Sequence, residues 1–395
     1  MAQRTSLIRQ IKLARLAAMT APPTPASKPQ VAIRGVRARA VREPAGGRTY
    51  IIVTLETDAG VTGIGETHAR PDPRTAVARI LEQKENLIGQ DALAAETVHQ
   101  MLAVRNHGRG DLAAVQAAVN VALLDILGKL SKARVYQVVG GPTRQKARAF
   151  AHLHGADEAS LKTSLERACA AGYKAFQVPL TIPEGPVRGR TFYRETRELL
   201  ERLRAAGGDD TDFILDCGGR LSTAEAAALG AELEPFHLLW LEEPLAAINE
   251  RAAAKLSGES VTPVGFGRNV EGNNGFQDLL RLDAIDVLRP DVARAGITQI
   301  RKAASLAETY YVAIAPFHRG GPVGTAAALH AAASTANFFI QEVPLPADDR
   351  DVEMRRQLAG AAIETVQDGF LALPGGDGLG VTLDEDALKR YEVAV

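Results

Sequence analysis

Cysteine is nearly absent from this chain of 395 residues, with only Cys169 and Cys217. Two thiols cannot build a disulfide framework, so the default setting is a reducing compartment, the cytoplasm. Aromatic residues are few, 5% with a single tryptophan, and neither charge sign is in excess: the net charge is -1. A balanced chain offers no electrostatic footprint for nucleic acid or an anionic membrane surface. Uninterrupted apolar runs are short as well. None approaches the roughly 20 residues that span a bilayer.

What remains is the composition of a folded globular protein, 46% hydrophobic and 24% charged. The length suits one barrel of about 250 residues with a smaller partner domain. Residues 1–30 start basic, carry Lys12 and Arg15 through their only apolar stretch, and end in Ala21-Pro22-Pro23-Thr24-Pro25-Ala26. Those charges interrupt a signal-type apolar segment, so an extension outside the fold is expected.

Strands are expected at Val31–Arg42, Thr49–Thr57 and Val61–Glu66, with breakers between them. Helical patterns follow at Pro73–Leu87, Ala94–Val104 and Asp111–Lys132. Residues 31–142 thus read as an α+β domain. From 143 to 362 short apolar runs alternate with alanine-rich helical stretches. The runs are Ala149–His152, Ala175–Pro179, Phe213–Asp216, Leu238–Glu242, Thr262–Phe266, Ile285–Arg289, Val312–Pro316 and Phe338–Glu342. Eight such units imply a parallel sheet closed into a barrel. Residues 363–395 are expected to return to the first domain.

The residues that end these runs are polar and regularly spaced. Asp216, Glu242, Arg268 and Asp291 follow one another at intervals of 26, 26 and 23 positions, one strand-helix unit apart. Side chains at successive strand ends meet at one mouth, where barrels place their chemistry. Carboxylates so arranged form a pattern for Mg²⁺, which prefers oxygen ligands and stabilises an enediolate when an α-proton leaves. Arg268 interrupts the pattern. A guanidinium in place of a carboxylate changes the local charge by about two units, which costs a divalent ion several kcal/mol even at an effective dielectric near 20. A planar guanidinium that pairs with Asp216 and Glu242 would take over the ion's place as the local positive charge. Glu271, reaching in while Arg268 points out, is the other arrangement.

The ordered set of motifs resembles the enolase superfamily, in its mandelate racemase and muconate lactonizing branch. It comprises Val61-Thr62-Gly63-Ile64-Gly65-Glu66, Ala122-Leu123-Leu124-Asp125-Ile126, Leu215-Asp216-Cys217-Gly218-Gly219, Trp240-Leu241-Glu242-Glu243-Pro244, Arg289-Pro290-Asp291 and Ala315-Pro316 with Gly321-Pro322. The resemblance implies a (β/α)7β TIM-type barrel, an N-terminal α+β capping domain and a homo-oligomer. It implies Mg²⁺ on Asp216 and Glu242, with the third ligand position held here by Arg268. It also implies a general acid-base role for His318 next to Asp291, provided a one-residue bulge replaces Phe317 by His318, and an assisting role for Glu342. Where the family places lysine bases this chain has Gln177-Val178-Pro179, and neither Gln177 nor Pro179 takes a proton.

Gln177, His152, Tyr193, Arg42 and His68 are the candidate substrate contacts, beside His154, Arg190, Arg105 and His107. Lys174 is expected to point outward and Cys217 to pack. Residues 185–189 form a glycine-containing loop without the spacing of a phosphate-binding turn. The expected activity is α-proton abstraction from a small carboxylic acid, most simply dehydration of an acid sugar, with or without metal. A racemase, or a barrel that has lost the ancestral chemistry and binds a small molecule, are the alternatives.

Overall fold

The computed structural model describes residues 29–105, 112–182, 189–245, 249–270, 272–360 and 363–395. Three antiparallel strands open the fold: β1 (Ile33–Arg42), β2 (Thr49–Thr57) and β3 (Thr62–His68). Arg42 pairs with Thr49 across the turn, and Tyr50 with His68 on the other side of β2. The helix Ala113–Leu130 lies across this sheet. It is long and apolar enough to cross a membrane by length and composition. Here it is a core helix, because Val115, Val119, Ala122, Leu123 and Ile126 are buried against Ile51, Val53 and Leu55. Gly63 and Gly65 let β3 approach it: a Cβ at Gly65 would stand 2.0 Å from the Ala118 carbonyl oxygen.

Eight parallel strands follow: β4 (Lys146–His152), β5 (Ala175–Pro179), β6 (Asp212–Asp216), β7 (Leu241–Glu242), β8 (Val264–Phe266), β9 (Val287–Leu288), β10 (Ala313–Ile314) and β11 (Gln341–Val343). Each of the first seven is followed by a helix, and β4 to β10 pair in sequence order. The ring is joined up by β11, which pairs with β4, and by the Asn337 and Phe339 backbone, which hydrogen-bonds Ile314 at 3.0 and 2.9 Å. Phe150, Ile214, Trp240, Val287 and Ile340 fill the interior. Beyond the barrel, β12 (Val366–Gln367) and β13 (Phe370–Ala372) form a hairpin on the start of β4. The chain end then reaches β1, where the Val393 N–H donates to the Ala40 carbonyl.

Two features tie the first domain to the barrel. The Glu66 carboxylate on β3 accepts from the Gly321 and Gly324 N–H groups at the start of the helix Pro322–Ala333. That is the end of a helix where a negative charge is favoured. Arg355 is buried between Glu43 (2.5 Å) and Glu364 (2.6 Å) and donates to the Gly320 carbonyl. The sheet is therefore seated against the loop that follows β10.

Because Ala118 presents backbone rather than a movable side chain, Gly65→Ala is expected to destabilise the protein by about 3 kcal/mol in urea unfolding. Gly258→Ala, on a helix with nothing within 4 Å of the new methyl, is the control. It should gain ~0.5–1 kcal/mol from helix propensity.

Candidate active site

Arg289 sits at the centre of the barrel with no exposed surface. Its Nε contacts both Glu242 carboxylate oxygens at 3.0 and 3.1 Å, and one terminal nitrogen donates to Glu342 at 2.6 Å. The other donates to the Ala315 and Pro316 carbonyls at 2.6 and 3.3 Å. Trp240 Nε1 donates to Glu242 at 2.6 Å. Burial lifts the Glu242 carboxyl to about 7 against the pull of Arg289. Burial works the same way on Glu342, but Arg319 and Arg289 outweigh it and hold that group below the usual range.

Above this buried layer, the Asp216 carboxylate receives two arginines. Arg268 donates to its Oδ2 at 3.0 Å and Arg319 at 3.1 Å. Burial raises the Asp216 pKa, but the two guanidinium groups prevail and keep it lowered. Arg268 reaches this point through its neighbours. Gly267 has φ +140°, and a Cβ there would meet the Arg289 backbone. The Glu243 carboxylate accepts from the Gly267 and Arg268 N–H groups at 2.9 and 3.0 Å.

Arg319 links the remaining candidates. It donates to Glu342 at 2.9 Å, Gln177 Oε1 at 3.2 Å and His152 Nδ1 at 3.1 Å. A guanidinium only donates, so His152 Nδ1 accepts and the imidazole is neutral. Burial first, and Arg319 next, push its pKa down to about 3.

The expected pairing of Arg268 with Asp216 is present. The expected pairing with Glu242 is not: Arg289 and Trp240 already occupy that carboxylate, one layer deeper. The placement of His318 beside Asp291 is also corrected. Phe317 holds the position next to Asp291, through a Val292 N–H to Phe317 carbonyl bond of 3.0 Å. His318 turns the other way, into the seam with β3, where Nε2 lies 3.1 Å from Thr325 Oγ1 and 3.2 Å from the Gly321 carbonyl. It is fully buried, and burial, followed by Arg355, depresses its pKa to about 4.

Asp291 does line the cavity. It caps the helix Val292–Glu308 through the Ala293 N–H at 2.9 Å, and burial raises its carboxyl to about 6. His68, two residues beyond Glu66 on β3, lines the same cavity. Tyr193 is absent from that lining. It lies on the helix Arg190–Gly207 with its ring 5.4 Å from Phe192. Arg42 is exposed at the end of β1 and donates to Thr49. Lys174 pairs outward with Asp368, and Cys217 is buried. His107, Glu271, the side chain of Arg105 and residues 185–188 lie outside the described residues.

The cavity has a volume of about 970 Å³, and its walls include Asp216, Arg268, Asp291, Arg294, Phe317 and Arg319 from the barrel, with His68, Arg70 and Arg79 from the first domain. Arg289, Arg319 and Glu243 were not singled out from the sequence. Arg289 closes an otherwise apolar strand, which is the one signal that marked it.

Residues 160–387 match the enolase C-terminal domain-like family, and residues 30–140 match the mandelate racemase/muconate lactonizing enzyme N-terminal domain. A D-xylonate dehydratase of Haloferax volcanii is 30% identical over 365 residues, 88% of this chain and 86% of that protein. A D-galactonate dehydratase of Ralstonia pickettii is 30% identical over 340 residues, 85% and 89%. A solved mandelate racemase/muconate lactonizing enzyme from Sulfitobacter sp superposes with a TM-score of 0.82 at 27% identity, covering 92% of this chain and 96% of that one.

The inward turn of His318 generates a pH prediction. Its folded pKa lies below the unfolded value near 6.5, so the unfolded chain takes up the proton first. The stability it contributes is complete above pH 6.5 and is lost as pH falls toward 4. Replacing it by uncharged glutamine (His318→Gln) should remove this dependence. The stability gap between wild type and variant is expected to shrink by ~3 kcal/mol from pH 7.5 to pH 4 in denaturant titrations. A gap that stays constant would place the ring in contact with solvent.

Proposed function

The chain belongs to the mandelate racemase/muconate lactonizing enzyme family, with an enolase-like C-terminal domain, and from that premise we propose that it is a hydro-lyase acting on a sugar acid. The observation that carries the reading is the pair Arg268 and Arg319, both held by Asp216 and both on the cavity wall. Two planar forks at one place suit a substrate carboxylate. They also stabilise the negative charge that develops on that carboxylate when the α-proton leaves.

Members of this superfamily generally use Mg²⁺. The donor set here does not fit that ion. Asp216 is engaged by two guanidinium groups, Glu242 by Arg289 and Trp240, and the third ligand position is Arg268. Among the described residues no group of three or more His, Cys, Asp or Glu side chains is arranged to hold a metal. A divalent ion ~4 Å from one fixed guanidinium is opposed by ~8 kcal/mol at an effective dielectric of 20. We therefore read the activity as metal-independent, with the arginines supplying the positive charge.

In this reading Asp291 receives the α-proton. It lines the cavity, and a carboxyl raised to about 6 is mostly ionised at neutral pH yet basic enough to hold a proton. The proton taken up by Asp291 is then passed to the departing β-hydroxyl, which leaves as water, and the enol that remains becomes the 2-keto acid. His68 lines the same cavity as a neutral imidazole, since burial, then Arg70, bring it to about 4, and it can hydrogen-bond a substrate hydroxyl there. Gln177 and Pro179 leave β5 without a base, and this favours elimination over inversion, which needs a base on each face of the carbon. The naming of similar proteins as D-xylonate, D-galactonate and D-mannonate dehydratases supports the same class. Assembly into a homo-oligomer is part of the proposal.

The test is a panel of aldonic and aldaric acids assayed for 2-keto acid, once with EDTA and once with Mg²⁺. Turnover is expected in both. Asp291→Asn should lower kcat by ~10²-fold or more, and Arg268→Ala should lower kcat as well as raise KM, because its guanidinium serves both the bound carboxylate and the charge that develops on it. Turnover that disappears in EDTA would overturn the metal-independent reading, and no product from any acid would overturn the lyase reading.

A further inference from the structure

Asp291 follows β9, and the strands that flank β9 in the sheet are β8 and β10. The segments after those two strands carry Arg268 and Arg319. Neighbouring strands run ~4.8 Å apart, a distance that an arginine side chain spans easily. A carboxylate beside a guanidinium is held in its charged form and becomes a poor base. An ion pair from Asp291 to either arginine would therefore cost the site its proton acceptor. Neither pair forms. Among the described residues the ion pairs of Arg268 and Arg319 run to Asp216 and Glu342. Asp291 uses its carboxylate to cap its own helix at the Ala293 N–H.

Phe317 belongs to both parties. Its backbone is paired with Asp291 in a parallel bridge, and its carbonyl accepts from the Val292 N–H. Its ring lies among the cations: the guanidinium carbons of Arg319, Arg289 and Arg268 are 5.1, 5.8 and 5.9 Å from the ring centroid. Cations are attracted to an aromatic face at this range. Phe317, Asp291, Arg268 and Arg319 line one cavity, together with the neutral His68. The charges that act most on Asp291 come from elsewhere: Arg294 on its own helix, Arg70 from the loop after β3, and Glu342 on β11. Arg268 and Arg319 rank below these three, although they follow the flanking strands.

We propose that Phe317 is a positioning residue for the dehydration: its ring fills the space between Asp291 and the guanidinium groups of Arg268 and Arg319, so that the base has no ion partner. This rests on the reading of Asp291 as the base and deepens it. The site has two needs that conflict. The arginines must stand close enough to hold the substrate carboxylate, and the base beside them must stay available for the α-proton. An apolar ring that attracts the arginines and excludes the carboxylate meets both. With a small side chain at 317 a guanidinium is free to turn to Asp291, and the carboxyl falls back toward an ordinary, weakly basic value.

The experiment is a carbon NMR titration of the full chain, labelled at the aspartate carboxyl carbons, in EDTA and without substrate. Asp291→Asn identifies the Asp291 signal. Wild type is expected to titrate at about 6, and Phe317→Ala at least ~1 pH unit lower. Phe317→Tyr keeps the ring and should stay close to wild type. Adding Arg268→Ala or Arg319→Ala to Phe317→Ala should recover about half of the drop or more in one of the two double variants. Where Phe317→Ala does not fold, Phe317→Val carries the same titration. Turnover gives a second readout. The base works ionised, so activity is lost as pH falls through its folded value. In Phe317→Ala the acid limb of kcat/KM should move down with the NMR midpoint while the plateau falls ~3-fold or more, because a weaker base accepts the proton less readily. Damage to packing alone would lower the plateau and leave the limb in place.

An Asp291 midpoint that is unchanged in Phe317→Ala overturns the proposal and leaves the lyase reading standing. A drop that neither arginine substitution reverses also overturns it, because something other than a guanidinium then reaches the base. A wild-type midpoint below about pH 5, the range of an ordinary carboxylate, removes both the base and its positioning residue. A drop that is reversed supports the proposal, and in a chain without turnover it removes only the lyase assignment.

Discussion

Inside the ring of strands the guanidinium of Arg289 has no exposed surface and its donors are engaged, by Glu242, Glu342 and two backbone carbonyls. Its carbon lies 5.3 to 5.8 Å from the ring centroids of Phe150, Trp240 and Phe317. A charge in such a place is tolerated only with full compensation, since desolvation costs several kcal/mol per ion. Glu242 is thereby fixed as a partner of Arg289, as is one face of Glu342. The arrangement at the mouth follows. Asp216 is the carboxylate that remains within reach of Arg268 and Arg319, and Glu342 uses its other oxygen to hold Arg319 from below.

This layering changes what the strand ends can do. A divalent ion concentrates two charges at a point and draws carboxylates inward. Two guanidinium groups carry a similar total charge spread over planes, and they turn their remaining donors outward. Arg268 and Arg319 keep 14% and 34% of their side-chain surface, against none for Arg289. They are held rather than free, which is what preorganised stabilisation of an enediolate requires. Gln177 and His152 contribute to the holding. Their contacts with Arg319 make both side chains supports for a cation.

Much of this was legible in the sequence, and the limits have physical causes. The eight apolar runs and the strand-end spacing place Asp216, Glu242, Arg268 and Asp291 on one mouth, since one strand-helix unit separates each pair. Spacing does not say which cation meets which carboxylate, because that depends on depth within the barrel. The spacing therefore accounts for the pair Arg268 and Asp216 but not for the capture of Glu242 by Arg289 and Trp240. The case of His318 is a matter of alternation. Successive side chains in an extended segment point to opposite sides. Once Phe317 pairs with the start of the Asp291 helix and faces the cavity, His318 must face the seam and Arg319 the cavity again. Arg319, one residue beyond His318, is the side chain that alternation returns to the cavity and to Asp216. Tyr193 has a different cause: the segment after β5 becomes helical at Arg190, and its ring packs on Phe192.

The same alternation governs the capping domain and gives its attachment a functional consequence. On β3, Glu66 and His68 share a face two residues apart. Glu66 is bound to the N-terminal end of the helix Pro322–Ala333, which begins three residues after Arg319. The backbone that positions Arg319 toward Asp216 is therefore the backbone that receives Glu66. Moving β3 would shift His68 and Arg70 relative to Arg319, so the two ends of the cavity keep a fixed separation. Arg355, buried between Glu43 and Glu364 and bonded to the Gly320 carbonyl, holds the same turn from the opposite side. The part of the cavity wall that the first domain supplies, His68 and Arg70, is thereby referred to the same short turn that carries Arg319.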